Sequence, residues 1–139
     1  MIVSPDEGHP LAGGPTKPVV KVGPHVGSSR LGLLESEVPA GGGFPAHIHD
    51  GYEEAFYVIS GDLEYLIRGA WQSAGVGSVV FVPAGQPHGF RNRGTAPARH
   101  LAIAAPADAM TMIEQLVAAG PADQAGVLAR FNSRFVASP

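Results

Sequence analysis

The 139-residue sequence predicts an all-β fold of two sheets followed by a short C-terminal helical tail. Short apolar runs alternate with turn residues at intervals of roughly 8–12 residues between residues 19 and 105, as in β-sandwiches and barrels. The 19 glycines and 13 prolines accompany an apolar content of 45%, so they are better explained as turns between many short strands than as disorder. After Pro106 the apolar residues recur at helical spacing instead.

The predicted strands follow one another closely, and the residues between them favour tight turns. Examples are Pro39 to Gly43, Asp50-Gly51 and Ser60 to Asp62, which combine glycine with proline, aspartate or serine. Eight strands on this spacing indicate a double-sheet barrel. The candidate strands are Val19–Val22, Arg30–Val38, Phe44–His49, Glu54–Ile59, Leu63–Arg68, Ser78–Val82, His88–Asn92 and Arg99–Ala104.

The chain is expected to form one domain, because its length provides for one core. Residues 1–18 are rich in proline, glycine and polar residues without periodicity, which predicts an irregular N-terminal arm. Residues 19–105 form the predicted β-barrel. Residues 106–139 form the predicted helical tail.

Two short helices are predicted in the tail. Asp108 is a candidate N-cap for a helix that ends at Gly120, and a second helix is predicted from Ala122 to Phe131. Each carries an apolar stripe that needs cover from water. We therefore expect the tail to pack on the barrel, over its mouth or against a neighbouring subunit.

Charge and composition exclude several classes of partner. The 9 basic and 12 acidic residues give a net charge of −3, which leaves no cationic surface for a nucleic-acid backbone. No apolar run reaches the length of a membrane span, and residues 1–15 lack the apolar stretch of a signal peptide. We therefore expect a cytoplasmic protein with no nucleic-acid or membrane partner. Because cysteine is absent, a metal ion would need histidine and carboxylate ligands.

A histidine pair occurs on one predicted strand. His47 and His49 are two residues apart, so their imidazoles leave the same face of that strand and can present two metal ligands. The turn at Asp50-Gly51 then starts a new strand with its own alternation. Either Glu53 or Glu54 can face the histidines, and alternation does not choose between them.

A third histidine follows a turn further along the chain. One predicted strand ends at Pro83-Ala84-Gly85, and His88 opens the next strand. In a barrel, His88 can meet the histidine pair across the barrel interior.

Together the two segments resemble the two sequence motifs of the cupin superfamily. The first motif is a glycine, five residues, His-X-His, four residues, a glutamate, six residues and a glycine. The second is a glycine, five residues, Pro-X-Gly, two residues, a histidine, three residues and an asparagine. The fixed positions are filled by Gly41, His47, His49, Glu54 and Gly61 in the first motif and by Gly77, Pro83, Gly85, His88 and Asn92 in the second. Ser78 departs from the aspartate of many cupins.

The resemblance implies a cupin-type double-stranded β-helix, or jelly-roll barrel, with a site for one divalent transition metal. It also favours Glu54 over Glu53, since only Glu54 has the six-residue spacing to Gly61. A set of three imidazoles and one carboxylate suits Fe, Mn, Ni, Co, Cu or Zn without choosing among them. The implied ligands are His47, His49, Glu54 and His88.

The run from Glu54 to Asn92 most resembles the quercetinase-like cupins. That resemblance implies a dioxygenase acting on a small enolic, hydroxy-ketone or aromatic substrate. In an open metal site, Glu54 could leave the metal and act as the proton acceptor. Two alternatives are a non-redox isomerase or polyketide-cyclase type of enzyme, in which the metal is only a Lewis acid, and a metabolite-binding barrel without activity.

The remaining expectations concern residues outside the motifs. The resemblance suggests a homodimer, in which the apolar sheet faces that carry Tyr57 and Ile59 would be covered. No role is assigned to His9, His25 or His100. The larger aromatic side chains are expected in the core or on the outer sheet: Phe56, Phe81, Phe90, Tyr65 and Trp71.

Overall fold

Eleven strands and two helices make up the fold in the computed structural model, which describes residues 1–139. The strands are β1 His9–Pro10, β2 Val19–Val22, β3 Gly32–Val38, β4 Gly43–His49, β5 Glu53–Ser60, β6 Leu63–Ile67, β7 Ala70–Ala74, β8 Val79–Val82, β9 His88–Arg91, β10 Ala98–Ala105 and β11 Ser133–Phe135. One sheet has the strand order β1-β2-β3-β10-β5-β8 and the other the order β11-β4-β9-β6-β7. All strand pairs are antiparallel, so the double-sheet prediction is confirmed.

All eight predicted strands are present, with ends that differ by at most two residues. Three further strands escaped prediction. β1 lies in the arm expected to be irregular and pairs with β2, the first predicted strand. β7 pairs with β6 across the turn Arg68-Gly69, where both residues have positive φ, as a two-residue hairpin with a type I′ turn requires. β11 lies in the tail expected to be helical and pairs with β4.

Strand β10 lies at the centre of the six-stranded sheet, between β3 and β5. Its residues alternate between buried and partly exposed, as expected for a strand with one face towards the core. Three of the four inward positions are alanine and the fourth is His100. Since alanines fill little volume, this strand leaves room between the two sheets.

The tail packs on the barrel through two helices, α1 Ala109–Ala118 and α2 Gln124–Arg130. The helix predictions are confirmed with shorter bounds. Asp108 occupies the N-cap position of α1 but makes no cap hydrogen bond, and its carboxylate accepts one from the Tyr52 hydroxyl at 3.3 Å. None of the helices is long and apolar enough to cross a membrane. The buried tail side chains include Met110, Met112, Leu116, Val127 and Leu128.

The N-terminal arm is held against the barrel and α1. The Lys21 ammonium donates hydrogen bonds to the backbone carbonyls of Pro5 and Glu7 at 2.7 and 2.5 Å. Further along the arm, Gly13 lies so close to α1 that a Cβ there would be 2.6 Å from the Val117 carbonyl oxygen. Gly13 also has a φ of 119°, a backbone conformation that residues with side chains rarely adopt. The arm and α1 therefore lie side by side.

Candidate metal centre

Four buried side chains converge between the two sheets. They come from β4, which carries His47 and His49, from β9, which carries His88, and from β5, which carries Glu54. Their ligand atoms all lie within 4.8 Å of one another. Each side chain is at most 6% exposed, whereas Glu53 points outwards. The structure thus brings together all four residues predicted from the sequence and places Glu54, not Glu53, among them.

Strand register explains why the histidines meet. His47 pairs directly with His88, so both leave the same face of the five-stranded sheet. Alternation adds His49, and the ring centroids of these three histidines are 4.1 to 5.2 Å apart. Glu54 reaches the cluster from the opposite sheet because the Asp50-Gly51 turn carries the chain across. Its Oε2 atom lies 2.9 Å from His88 Nε2 and 3.7 Å from His49 Nε2.

Hydrogen bonds fix the orientation of all three imidazoles. The Nδ1 atom of His47 donates to the Pro45 carbonyl at 2.8 Å, and that of His88 donates to the Gln86 carbonyl at 3.0 Å. A carbonyl only accepts hydrogen bonds, so both Nδ1 atoms carry the proton. The Nδ1 atom of His49 lies 2.8 Å from the hydroxyl oxygen of Ser133.

The Ser133 hydroxyl donates its own proton to the Phe131 carbonyl at 2.9 Å. It must therefore accept from His49, so Nδ1 of this ring also carries the proton. Each neutral ring then has its lone pair on Nε2, the atom that faces the cluster. In metal-bound histidines this tautomer is usually fixed by a hydrogen-bond acceptor at the ring nitrogen that does not bind the metal.

This donor set fits a divalent metal ion. Three imidazole lone pairs and one carboxylate point at a common space, and no cation from the protein enters it. The lone pair of His88 Nε2 and a carboxylate oxygen of Glu54 face each other at 2.9 Å, which requires a proton or a cation between them. A proton would satisfy this pair alone, whereas a metal ion would satisfy all four ligands at once.

The charge states of the cluster suit the same role. Burial, together with the neighbouring histidines, lowers the pKa of His47 to about 3, and burial also lowers the pKa of His49. Burial alone would raise the pKa of Glu54, but the His88 hydrogen bond and the three histidine rings outweigh it and lower that pKa to about 2. At neutral pH the cluster therefore offers a carboxylate and at least two neutral imidazoles, the forms that bind metals.

Ser133→Ala is expected to weaken metal binding without unfolding the protein. The variant loses the acceptor that holds His49 Nδ1, and removal of such partners weakens metal affinity about 10- to 100-fold. A titration against a competing chelator measures the change. Ser138→Ala, in the exposed end of the chain, is the matched control. Equal affinities in the two variants would show that His49 does not depend on this anchor.

Two other motif residues hold the frame of the site. The Gly85 backbone N–H donates to the His49 carbonyl at 2.7 Å and so ties the second motif to the first. Gly85 has a φ of 79°, which a residue with a side chain rarely adopts. The Asn92 side chain donates to the Val38 carbonyl at 2.9 Å. These residues position the ligands without entering the cluster.

The cluster opens onto a cavity of about 310 Å³ between the sheets. Its walls are mostly apolar, and Phe44, Phe56 and Phe90 line it, so Phe56 and Phe90 do more than fill the core as the sequence led us to expect. Helix α1 and the arm form part of the wall, which confirms that the tail covers part of the barrel. Glu54 is the only carboxylate and no lysine or arginine is present among the lining residues.

Sequence reasoning missed two polar residues near the cluster. His100, to which it gave no role, is 1% exposed, lines the cavity and forms a 2.8 Å hydrogen bond through Nδ1 with the Tyr65 hydroxyl. The signal was available, because alternation places His100 on the same face as Ala98 and Ala102. Ser133 gave no such signal, since it reaches His49 only through a pairing of distant segments.

Acid is expected to destabilise the fold through His100. Burial lowers its pKa to about 4 from the ordinary value of 6.5, and the charge of Glu54 opposes that shift only in part. Between these values the unfolded chain binds a proton on His100 that the folded chain does not, so the free energy of unfolding falls as pH falls from 6.5 to 4. Denaturant titrations of the metal-free protein at both ends of this range measure the fall. A double variant, His100→Phe/Tyr65→Phe, should lose less stability than the parent, and an identical loss would contradict the assignment.

Comparisons with known proteins agree with this geometry. The family model described as "Cupin domain" matches residues 34–104, about half of the chain. The polyketide cyclase RemF from Streptomyces resistomycificus is 26% identical, with a TM-score of 0.61 over 78% of this chain and 85% of that one. No curated protein matches the chain.

Two less identical structures show the same fold. A sugar phosphate isomerase from a cupin superfamily of Silicibacter pomeroyi is 21% identical, with a TM-score of 0.68 over 76% of this chain and 75% of that one. A predicted oxalate decarboxylase from Thermotoga maritima is 20% identical, with a TM-score of 0.68 over 76% of this chain and 99% of that one. The family match spans all four clustered residues, and the two-sheet barrel agrees with it. The chain therefore belongs to the cupin family.

Proposed function

We propose that this protein is a metal-dependent enzyme acting on a small aromatic or enolic compound that binds through its oxygen atoms at the His47, His49, Glu54 and His88 centre. One observation carries the proposal: three of the four clustered ligands, His47, His49 and Glu54, line an apolar cavity with aromatic walls. Cavities of this kind bind small ligands by burying apolar surface and orient them through a few polar groups. The cavity volume, about 310 Å³, suits a compound of one or two rings.

The residues of the centre and the cavity wall have separate proposed roles. The three histidines and Glu54 would hold a divalent metal, which would supply Lewis acidity towards a chelating oxygen. Glu54, the one carboxylate in the cavity wall, is the proposed proton acceptor. Because a carboxylate is a weak base, it would need a substrate proton made more acidic by the metal, such as that of a chelated enol or phenol. The apolar wall would exclude water from this proton transfer.

Non-redox chemistry, such as cyclisation or isomerisation, is the favoured form of this activity. Its support is the sequence identity of 26% to the polyketide cyclase RemF, which exceeds the identity to the isomerase and to the decarboxylase. The dioxygenase suggested by the quercetinase-like sequence pattern stays a second candidate. Both reactions begin with a chelating oxygen substrate and differ in whether O₂ is consumed.

Turnover with and without oxygen tests the proposal. Metal-free protein is loaded separately with Zn²⁺, Mn²⁺, Fe²⁺, Co²⁺, Ni²⁺ and Cu²⁺ and assayed against a panel of phenolic and enolic compounds. Turnover in anaerobic solution, absent from His88→Ala, supports the non-redox enzyme. Oxygen uptake matched to product formation supports the dioxygenase instead. Binding by every metal form without turnover would overturn both and leave a metabolite-binding protein.

We also propose that two copies associate through the outer face of β5 and β8. Val79 and Phe81 are 67% and 58% exposed, and the 44% exposed Tyr57 pairs with Val79 across the strands. Strand β8 ends its sheet, so one side of its backbone lacks a strand partner. An apolar edge of this kind is self-complementary when a second copy meets it about a two-fold axis.

Phe81→Lys is expected to convert the dimer into a monomer, because it places a charge in the apolar contact. Size-exclusion chromatography with light scattering measures the mass. Leu31→Lys, at an exposed apolar residue elsewhere, should leave the dimer intact. A monomeric parent protein would refute the proposed association.

A cytoplasmic location stays a prediction.

A further inference from the structure

A second polar group lies in the cavity, away from the proposed metal ligands, and consists of His100 and Ser36. We propose that this His100–Ser36 pair binds a neutral acceptor oxygen at the end of the substrate opposite the chelating oxygens. The inference rests on the proposed function, because it requires a substrate in this cavity. It adds a specificity determinant that the cupin motifs do not contain.

Strand pairing brings the two residues together. His100 on β10 is directly opposite Ser36 on β3, and both side chains are on the inward face. They are 1% and 4% exposed, and both line the cavity. The Ser36 hydroxyl forms no side-chain hydrogen bond, and Tyr65 is the only hydrogen-bond partner of the His100 ring. Every side-chain N or O atom that is fully buried has a hydrogen-bond partner. An atom of these two residues without a partner must therefore be accessible to solvent. The free Ser36 Oγ and His100 Nε2 therefore face the cavity.

The Tyr65 bond decides which hydrogen-bonding character His100 presents. The Tyr65 hydroxyl has no other partner, so its proton has one acceptor within reach, the Nδ1 atom of His100 at 2.8 Å. Burial raises the pKa of Tyr65, which keeps the hydroxyl protonated. The His100 ring then carries its own proton on Nε2, and the neutral ring offers an N–H donor to the cavity. A substrate oxygen that accepts hydrogen bonds is its complement.

The pair and the metal centre lie at different places along the barrel. Val58 on β5 is opposite His100, and it is four residues beyond Glu54. At the usual rise of a strand, the backbones of Glu54 and Val58 are about 13 Å apart along β5. The Phe56 ring is close to both groups, with its centroid 5.3 Å from that of His100 and 6.4 Å from that of His88. The cavity therefore has two polar ends joined by an aromatic wall.

This arrangement indicates the substrate class. A flat aromatic framework would lie against Phe56 and Phe90, with two neighbouring oxygens at the metal and a carbonyl oxygen at the His100–Ser36 pair. No lysine or arginine lines the cavity, so the distal group is better matched by a neutral ketone or aldehyde than by a carboxylate or phosphate.

Two probe compounds separate the ends of the cavity. The first, 2,3-dihydroxynaphthalene, has chelating oxygens only, and the second, 6-acetyl-2,3-dihydroxynaphthalene, adds a distal ketone. Binding of each to the Co²⁺-loaded protein is measured by calorimetry, and the cobalt visible spectrum reports chelation. The parent should bind the ketone about 2- to 10-fold more tightly, the range that one net hydrogen bond provides.

The variants Ser36→Ala and His100→Phe/Tyr65→Phe should remove that preference and leave the affinity for the first probe within about twofold. The double variant replaces both hydrogen-bonding partners together, so no buried hydroxyl is left unpaired, and thermal unfolding checks its fold. A parent protein without preference for the ketone would overturn the inference while leaving the proposed function intact. Variants that weaken the binding of both probes equally would overturn it as well. Absence of any spectral change with either probe would overturn the proposed function itself.

Discussion

Protein carrying His88→Ala is expected to lose the metal ion that the parent protein retains. The substitution removes one of four converging ligands and leaves the Glu54 carboxylate without its 2.9 Å partner. Loss of an outer partner alone weakens metal sites about 10- to 100-fold, and loss of a ligand should exceed that range. Elemental analysis of protein purified without metal-affinity resin provides the measurement, with about one equivalent expected in the parent.

His25→Ala is the matched control for this experiment, since His25 is exposed and outside the cluster. It should retain the metal content of the parent. The metal found in the parent also bears on the reaction. Four protein ligands leave tetrahedral zinc without an open position, whereas a six-coordinate ion keeps two. Equal metal content in the parent and the His88→Ala variant would remove the basis of the proposed centre, as would a parent with no metal.

Removing residues 106–139 is expected to make the protein insoluble. The truncation deletes Met110, Met112, Leu116, Val127 and Leu128, all of which are buried. Burial of each such side chain contributes about 1.5–3 kcal/mol. Their sum is comparable to the whole stability of a typical domain, about 5–15 kcal/mol. The cut also exposes the barrel surface that these side chains cover.

Removal of residues 137–139 alone is the control, because these residues are exposed. Soluble expression and cooperative thermal unfolding should be unchanged by the shorter cut. Where the longer cut gives soluble protein with the parent's melting temperature, the tail is dispensable and its assigned packing role is wrong. Soluble protein that has lost metal affinity would separate the contribution of Ser133 from that of the hydrophobic contacts.

The sequence predicted those features that depend on local periodicity. Alternation with short turns is visible in β3, β5 and β10, and each has one face in the core. The clustered residues were predictable for a related reason. His47 and His49 share a face because they are two residues apart on a strand, whereas Glu54 could be chosen over Glu53 only through its likeness to a known motif.

Features that depend on pairing of distant segments could not be predicted in this way. The three-residue strand β11 is too short to show alternation, and its partner β4 precedes it by more than 80 residues. Strand β7 begins after Arg68-Gly69, which lacks the usual hairpin dipeptides and includes an arginine with a φ of 53°. The role of His100 required knowing that Tyr65, on the other sheet, lies opposite it.

The anchor on His49 has a kinetic consequence. Ser133 belongs to β11, a three-residue strand at the edge of its sheet. Short edge strands open locally far more often than central ones. Each opening would free the His49 ring to rotate, so the residence time of a bound metal would follow the opening rate of β11 and not that of the whole barrel. Metal exchange would then keep pace with hydrogen exchange at the amides of this strand, while the amides of β10 stay protected.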